Sequence, residues 1–408
     1  MPNAPFEKAD PNQAVAMPHA SASRPSLATL AAGSLASFVG FASSFAIVVK
    51  GFLAMGATPA QATSGLISVA FAMGFCAIVL SLKTKMPISI AWSTPGAAFL
   101  TSIALPEHGF AEAVGAFMGA SVLIFLAGSI TPFGRWITRI PKSLANAMLA
   151  GILLTLCFAP FRALGQRPLL VLPIMMTWLV MGLWRKALAV PAAVIMAFAV
   201  IGMSHTGALP ASETWIPHFE SVTPYFSWTG FIGISLPLFL ITMASQNIPG
   251  MAVLTLNGYH TPMPPLLRMT GLFSLASNCF GGHAVNLAAI TAAMCAQADA
   301  DADPARRYWA AVISGTVYVL FGLVAGAATA LIAASPPLLI EAVAGLALFG
   351  ALAQALMQAL QDDAHREAAL ITFLLTASGL SFFGIGGAFW GLLGGGLVLA
   401  LKRAVNKP

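Results

Sequence analysis

The residues best placed to do chemistry form three short strings inside an otherwise apolar chain. One is Gly281-Gly282-His283-Ala284-Val285-Asn286-Leu287-Ala288-Ala289-Ile290-Thr291. Two glycines, a histidine and an asparagine make a poor continuous membrane helix. The string reads as an extended lead-in of about five residues that becomes a half-helix at Asn286, whose side chain can cap the first free N–H groups. A helix that begins inside the membrane aims its positive dipole end and unpaired donors at whatever occupies that depth, so the chemistry on offer is anion binding.

The second string has the same grammar: Ile88-Ser89-Ile90-Ala91-Trp92-Ser93-Thr94-Pro95-Gly96-Ala97-Ala98-Phe99-Leu100. Its first residues alternate, Thr94 is a good N-cap, and Pro95 occupies the first helical position, where its missing N–H costs nothing. Irregular backbone is tolerated at membrane depth only where protein or a water-filled cavity surrounds it, so a matched pair of breaks points to a binding site. The third string, Gln246-Asn247-Ile248-Pro249-Gly250, interrupts an apolar span with two amides and a breaker pair. Amides in lipid are costly without partners, which turns them toward a cavity or toward helix contacts beside a proline kink.

The expected substrate contacts are therefore Ser93, Thr94 and Gly96 from one break, Val285, Asn286 and Leu287 from the other, and Gln246 and Asn247 between them. Ser44 in the first span is a further polar contact, and Phe45, with Phe41 and Phe99, offers a wall for a ring. His283 is the only ionisable group expected at mid-membrane; it either takes up a proton with the anion or stays neutral on a backbone carbonyl. All 13 acidic residues fall in tails, loops or span ends, with Glu341 about one turn in. That argues against a sodium site or proton relay built from carboxylates.

These strings sit in a chain of 408 residues that is 58% hydrophobic and 8% charged. Apolar runs recur from Leu27 to Leu401, each long enough to cross a hydrocarbon core of roughly 30 Å. The expected spans are 27–49, 61–82, 88–105, 111–131, 143–160, 168–184, 187–204, 229–256, 264–280, 283–297, 306–333, 337–360, 367–383 and 387–403. This predicts an all-α polytopic membrane protein of about 14 segments, with short extended strands and half-helices in segments 3 and 10. Residues 1–26 lack the apolar region of a cleavable signal and read as a disordered cytoplasmic tail, with a second tail over 404–408. Lys83, Lys85, Arg135, Arg139, Lys142, Arg185, Lys186, Arg268, Arg306, Arg307, Arg366, Lys402, Arg403 and Lys407 fall on one side; only Lys50, Arg162 and Arg167 fall on the other. The positive-inside rule then puts both termini in the cytoplasm of a bacterial-type inner membrane.

An external loop over 205–228 divides the chain into halves of seven spans. Seven is odd, so the halves enter from opposite sides and form a 7+7 inverted repeat, which brings the two half-helix starts face to face.

The net charge of +6 is dispersed through short loops, which fits topology and not a nucleic-acid partner. Cys76, Cys157, Cys279 and Cys295 carry no pairing motif and imply neither disulfide nor metal. His19, His108, His205, His218, His260 and His365 fall in loops or tails. The glycines at 384, 386, 387, 391 and 394–396 precede no Gly-Lys-Ser/Thr, so they read as helix-packing contacts and not a phosphate loop. No catalytic set or ATPase signature appears, which makes an enzyme an unsuitable reading and calls for no cofactor. Lipid bilayer and a small anion are the partners implied.

The strings Trp92 to Ala98, Gln246 to Met251, Gly281 to Thr291 and Pro304-Ala305-Arg306-Arg307-Tyr308-Trp309 together resemble the benzoate membrane transporter family, BenE, of benzoate:proton symporters. The resemblance covers essentially everything after residue 26. It implies the fold shared with uracil permeases and sulfate-type anion transporters. In that fold a core (27–131 and 229–333) moves against a gate (132–204 and 334–403), and homodimers occur. Uracil permeases use glutamates on the eighth and tenth spans, where this chain offers Gln246, Asn247, His283 and Asn286, which disfavours a nucleobase. The resulting expectation is import of an aromatic carboxylate with a proton. A nucleobase or inorganic-anion carrier of the same fold and an anion channel are the rivals.

Overall fold

The computed structural model describes residues 24–130, 141–204, 217–260, 262–333, 336–383 and 385–405. The expected tail up to residue 23, Arg135, Arg139, His205, Gly384 and Lys407 lie outside the described residues.

The first half contains α1 (Leu27–Ala42), α2 (Phe45–Ala54), α3 (Pro59–Thr84), β1 (Ile90–Trp92), α4 (Thr94–Leu100), α5 (Gly109–Ser129), α6 (Lys142–Cys157), α7 (Ala159–Gln166), α8 (Pro168–Trp184) and α9 (Ala189–Ser204). The second contains α10 (Trp228–Leu256), α11 (Met263–Asn278), β2 (Val285–Leu287), α12 (Ala289–Ala296), α13 (Tyr308–Leu323), α14 (Ala325–Ala333), α15 (Pro337–Leu360), α16 (Arg366–Ala377), a small hairpin of β3 (Ser381–Phe382) and β4 (Ile385–Gly386), and α17 (Gly387–Val405). Among the described residues six helical stretches are long and apolar enough to cross a membrane: 27–54, α3, α5, 142–166, α10 and α15.

The two expected breaks meet. β1 and β2 pair antiparallel with Ala91 opposite Asn286, and the ribbon is buried in protein. Its outer edge still carries backbone groups that need partners at this depth. Side chains from neighbouring helices supply them: Ser274 Oγ accepts from Val285 N at 2.9 Å, and Asn247 Oδ1 accepts from Leu287 N at 3.0 Å. The first half-helix starts one residue earlier than the sequence suggests and the second three residues later. Ser93, not Thr94, caps α4, its Oγ accepting from Gly96 N at 3.1 Å. Asn286 does not cap α12, because its backbone is spent on the strand pair, and the helix begins at Ala289.

Local chemistry explains the other departures. The first span breaks at Ser43 and Ser44, whose hydroxyls both donate to Gly40 O (3.2 and 3.0 Å) and compete with the helix ladder. After Cys157 the chain stays helical to Gln166, so Arg162 lies on α7 and not in a loop; Pro160 is tolerated there because it sits in the helix's first turn. α10 carries two π-helical turns, Phe231–Ser235 and Met243–Asn247, each followed within two residues by a proline that cannot donate to the ladder.

The closest helix pairs fall into two sets: α3 with α13, α5 with α11 and α1 with α13; and α6 with α15, α16 with α17 and α6 with α16. Small residues permit this approach. A Cβ on Gly74 would meet Gly315 O at 2.5 Å, and one on Gly315 would meet Gly74 O at 2.6 Å. Gly387, Gly391 and Gly395 repeat every four residues against the α16 backbone. Gly315→Leu is expected to force α3 and α13 apart, cost on the order of 1–3 kcal/mol, and lower the melting temperature of the detergent-purified protein. An unchanged melting curve would contradict this packing.

The string Pro304 to Trp309 is tied to its neighbours by its basic and aromatic residues. Arg307 donates to Asp301 O (2.7 Å) and Ala296 O (3.0 Å), while Lys85 lies over the Tyr308 ring at 4.7 Å. Burial works against the charge on Asp301, but the Ser26 hydroxyl, the Asp303 N–H and the Arg306 and Arg307 guanidinium groups hold its carboxyl below the ordinary value.

Candidate functional site

A cavity of about 200 Å³ lies where the ribbon, α1 and α10 face the other set of helices. One wall is the break after α1, with Gly40, Ser43 and Ser44. The floor is Ala91, Trp92 and Thr94 from the first broken span and Ala288, Ile290 and Thr291 from the second. Gln246 enters from the π-helical turn of α10. Lys186, Val190, Pro191 and Ala347 close the side contributed by α9 and α15. Trp92 is held by its indole N–H, which donates to Ser44 Oγ at 2.8 Å, and Phe41 packs behind it at 5.1 Å between ring centroids. Thr291 is fixed by a 2.7 Å hydrogen bond with Ser89.

This lining can hold an anion with an apolar body. Among the described residues Lys186 is its sole charged one, and none of them puts a carboxylate in the lining. The first turn of α12 has no side-chain cap, and Ala288, Ile290 and Thr291 border the cavity there. The Thr94 hydroxyl and the Gln246 amide add donors, the Ser43 and Ser44 hydroxyl hydrogens being spent on Gly40 O, while Trp92, Val190 and Pro191 supply apolar surface. Among the described residues no group of three His, Cys, Asp or Glu side chains converges.

Of the residues singled out in the sequence, Ser44, Thr94 and Gln246 line this cavity. Ser93, Gly96, Asn247, Val285, Asn286 and Leu287 do not; they build the scaffold beneath it. Ser93 caps α4 and accepts from Thr242 at 3.2 Å. With its amide oriented to satisfy both ends, Asn286 donates to Leu287 O (3.0 Å) and accepts from Ser93 N (3.1 Å). Gly96 packs where a Cβ would meet Leu238 at 2.6 Å. Phe45 stacks on Phe41 at 5.6 Å, away from the lining. His283 is fully buried against Phe52, with Nδ1 3.0 Å from Ala284 O and no partner for Nε2 among the described residues.

Lys186, Trp92 and Thr291 are the contributions that sequence reasoning passed over as site residues. Lys186 read as one more basic loop residue. Trp92 and Thr291 lay within the quoted strings, and an indole next to an expected half-helix start was the available signal.

Near the first turns of α15, Lys50 Nζ lies 2.7 Å from Glu341 Oε1, joining α2 to α15.

A model of the family described as BenE, benzoate membrane transport protein, matches residues 23–401. The chain is 40% identical over 378 residues to inner membrane protein YdcO of Escherichia coli (strain K12), covering 92% of this chain and 96% of that protein. It is 36% identical over 317 residues to the benzoate membrane transport protein of Acinetobacter baylyi, covering 77% and 80%. Two solved structures share the fold. The transmembrane domain of the cyanobacterial bicarbonate transporter BicA has a TM-score of 0.61 at 15% identity, over 90% of this chain and 97% of that one. Murine Solute Carrier 26 family member A9, an anion transporter in the inward-facing state, has a TM-score of 0.60 at 12% identity, over 93% and 68%.

Proposed function

The chain belongs to the benzoate membrane transport protein family, and from that premise we propose that it imports benzoate or a similar aromatic carboxylate with a proton by alternating access. It is a membrane transporter and not an enzyme. The observation that carries the substrate reading is the cavity at the two broken spans, with one cation, converging donors and an indole-lined wall. The carboxylate sits between Lys186 and the uncapped first turn of α12, and the ring lies against Trp92.

In this reading the chain makes 14 crossings of an inner membrane in a 7+7 inverted repeat, with both termini in the cytoplasm. Residues 27–131 and 229–333 form the core, and 132–204 and 334–403 the gate. The tightest helix pairs stay within these sets, which supports their moving as units. The face bearing Lys186 is then cytoplasmic, the cavity opens inward, and the Lys50–Glu341 pair closes the outside. An exposed pair of this kind is worth at most about 1 kcal/mol. Glu341→Gln should therefore shift the inward–outward ratio by no more than about fivefold. The readout is labelling from each face of a cysteine placed at Ala347 in a protein lacking Cys279. Exchanging the two charges (Lys50→Glu with Glu341→Lys) should restore the ratio, and failure to do so would remove the pair from the gate.

Moving one negative charge inward costs about 2.3 kcal/mol per 100 mV, and one co-transported proton cancels that cost. His283 is the proposed carrier, because its Nε2 is buried and has no partner among the described residues, beside the strand that precedes α12. The test is uptake of labelled benzoate into proteoliposomes under an imposed proton gradient. Saturable uptake that an uncoupler abolishes is expected, with His283→Gln retaining benzoate exchange but losing gradient-driven accumulation. Full accumulation by His283→Gln would leave that histidine as a neutral packing group. An inorganic anion is the second reading, favoured by the likeness in fold to a bicarbonate transporter; competition by bicarbonate and none by other aromatic carboxylates would select it.

A further inference from the structure

A second cavity, of about 430 Å³, shares no lining residue with the first. It lies in the seam between α10 on one side and α6 and α15 on the other. Its two walls differ in kind. The α10 wall, between Leu240 and Leu256, is apolar. The opposite wall carries Lys142 and Asn146 on α6, Gln354 and Gln358 on α15, and Gln361 just past its end. Gln354 and Gln358 are four residues apart, so one face of α15 presents both.

None of these glutamine side chains, nor the Lys142 ammonium, has a hydrogen-bond or ion-pair partner among the described residues. Asn146 uses one amide hydrogen on Lys142 O at 2.8 Å. The cavity therefore offers one positive charge, amide donors not yet used and an extended apolar surface, with no carboxylate in its lining. Lipid would leave the amides unsatisfied, and a small inorganic anion would leave the apolar wall bare.

We propose that this cavity is a second binding site, for an amphipathic organic carboxylate arriving from the cytoplasm, and that its occupant inhibits transport. The carboxylate pairs with Lys142 and the amides, and the apolar body lies on α10. The walls belong to the two helix sets that move against each other in the transport reading, on which the inhibitory role rests. A ligand between them holds the seam open, binds this conformation better than any in which the seam closes, and so shifts the population toward it.

The probe is biphenyl-4-carboxylate, an aromatic carboxylate with a longer rigid body than benzoate. Its binding to the purified protein is followed by thermal shift, and its effect on benzoate transport is measured in inside-out vesicles, where it reaches the cytoplasmic face. Binding should weaken about tenfold in Lys142→Gln, persist in Lys142→Arg, and be unaffected by Lys186→Gln. Inhibition should lower the maximal rate without changing the half-saturating benzoate concentration, and transport without probe should match the wild type in both Lys142 variants. Binding that is lost in Lys186→Gln but not in Lys142→Gln, or no binding at millimolar probe, overturns the site. If benzoate is not transported at all, the binding arm still decides the site while the inhibitory role falls with the transport reading. Binding at Lys142 with inhibition strictly competitive with benzoate keeps the site and overturns the wedge.

Discussion

Lys186→Glu is expected to abolish benzoate binding to the purified protein, and Lys186→Gln to weaken it about tenfold. Lys186 is the single charged residue of the cavity lining among the described residues, so the neutral variant loses the counter-charge and the acidic variant sets a like charge beside the carboxylate. The residue is exposed, which keeps the effect of neutralisation near the lower end of values for hydrogen bonds to charged groups. Lys186→Arg should restore most of the affinity. Ionic strength separates two modes of action. If Lys186 only raises the local anion concentration, wild type and Lys186→Gln converge in high salt, because the screening length shrinks to about 3 Å at 1 M. If it contacts the carboxylate, the difference persists. Equal affinities at low salt would remove Lys186 from the site.

Asn247→Leu is expected to lower uptake about a hundredfold and to lower the melting temperature as well. Asn247 is fully buried, and its Oδ1 is the acceptor for Leu287 N. Leucine removes that acceptor and leaves an N–H unpaired at membrane depth, at a cost of about 1–3 kcal/mol. It also unties β2 from α10, and β2 leads directly into the α12 turn that borders the cavity. Gln246→Leu supplies the contrast. Gln246 lines the cavity and is half-buried, so its loss should reduce affinity while leaving the melting curve near wild type. If Asn247→Leu melted like wild type and bound less tightly, Asn247 would be a ligand contact and not part of the scaffold.

The broken spans were legible because their causes are local. Alternation over Ile88 to Trp92, the Ser-Thr-Pro-Gly run, and the Gly-Gly-His lead-in each disfavour a continuous helix within a few residues, whatever packs around them. The family strings were legible for the same reason. The exact helix starts were less so: Thr94 and Asn286 are both good caps, but strand pairing used the Asn286 backbone and Ser93 reached Gly96 first.

Which side chains face the cavity was decided only by tertiary structure. Gln246 and Asn247 are neighbours of like chemistry, yet one lines the cavity and the other holds a strand. They sit in a π-helical turn, whose wider winding rotates them off the phase that a regular helix would predict. Phe45 stacks on Phe41 and not on the cavity. Lys186 comes from a segment far from either break, so no local pattern could bring it to the site. By itself, then, the sequence determined that this is a polytopic membrane protein with two broken spans able to present donors to an anion. The cavity between them is a gap bounded by elements remote in the chain, and only their packing decided its lining and its one charge.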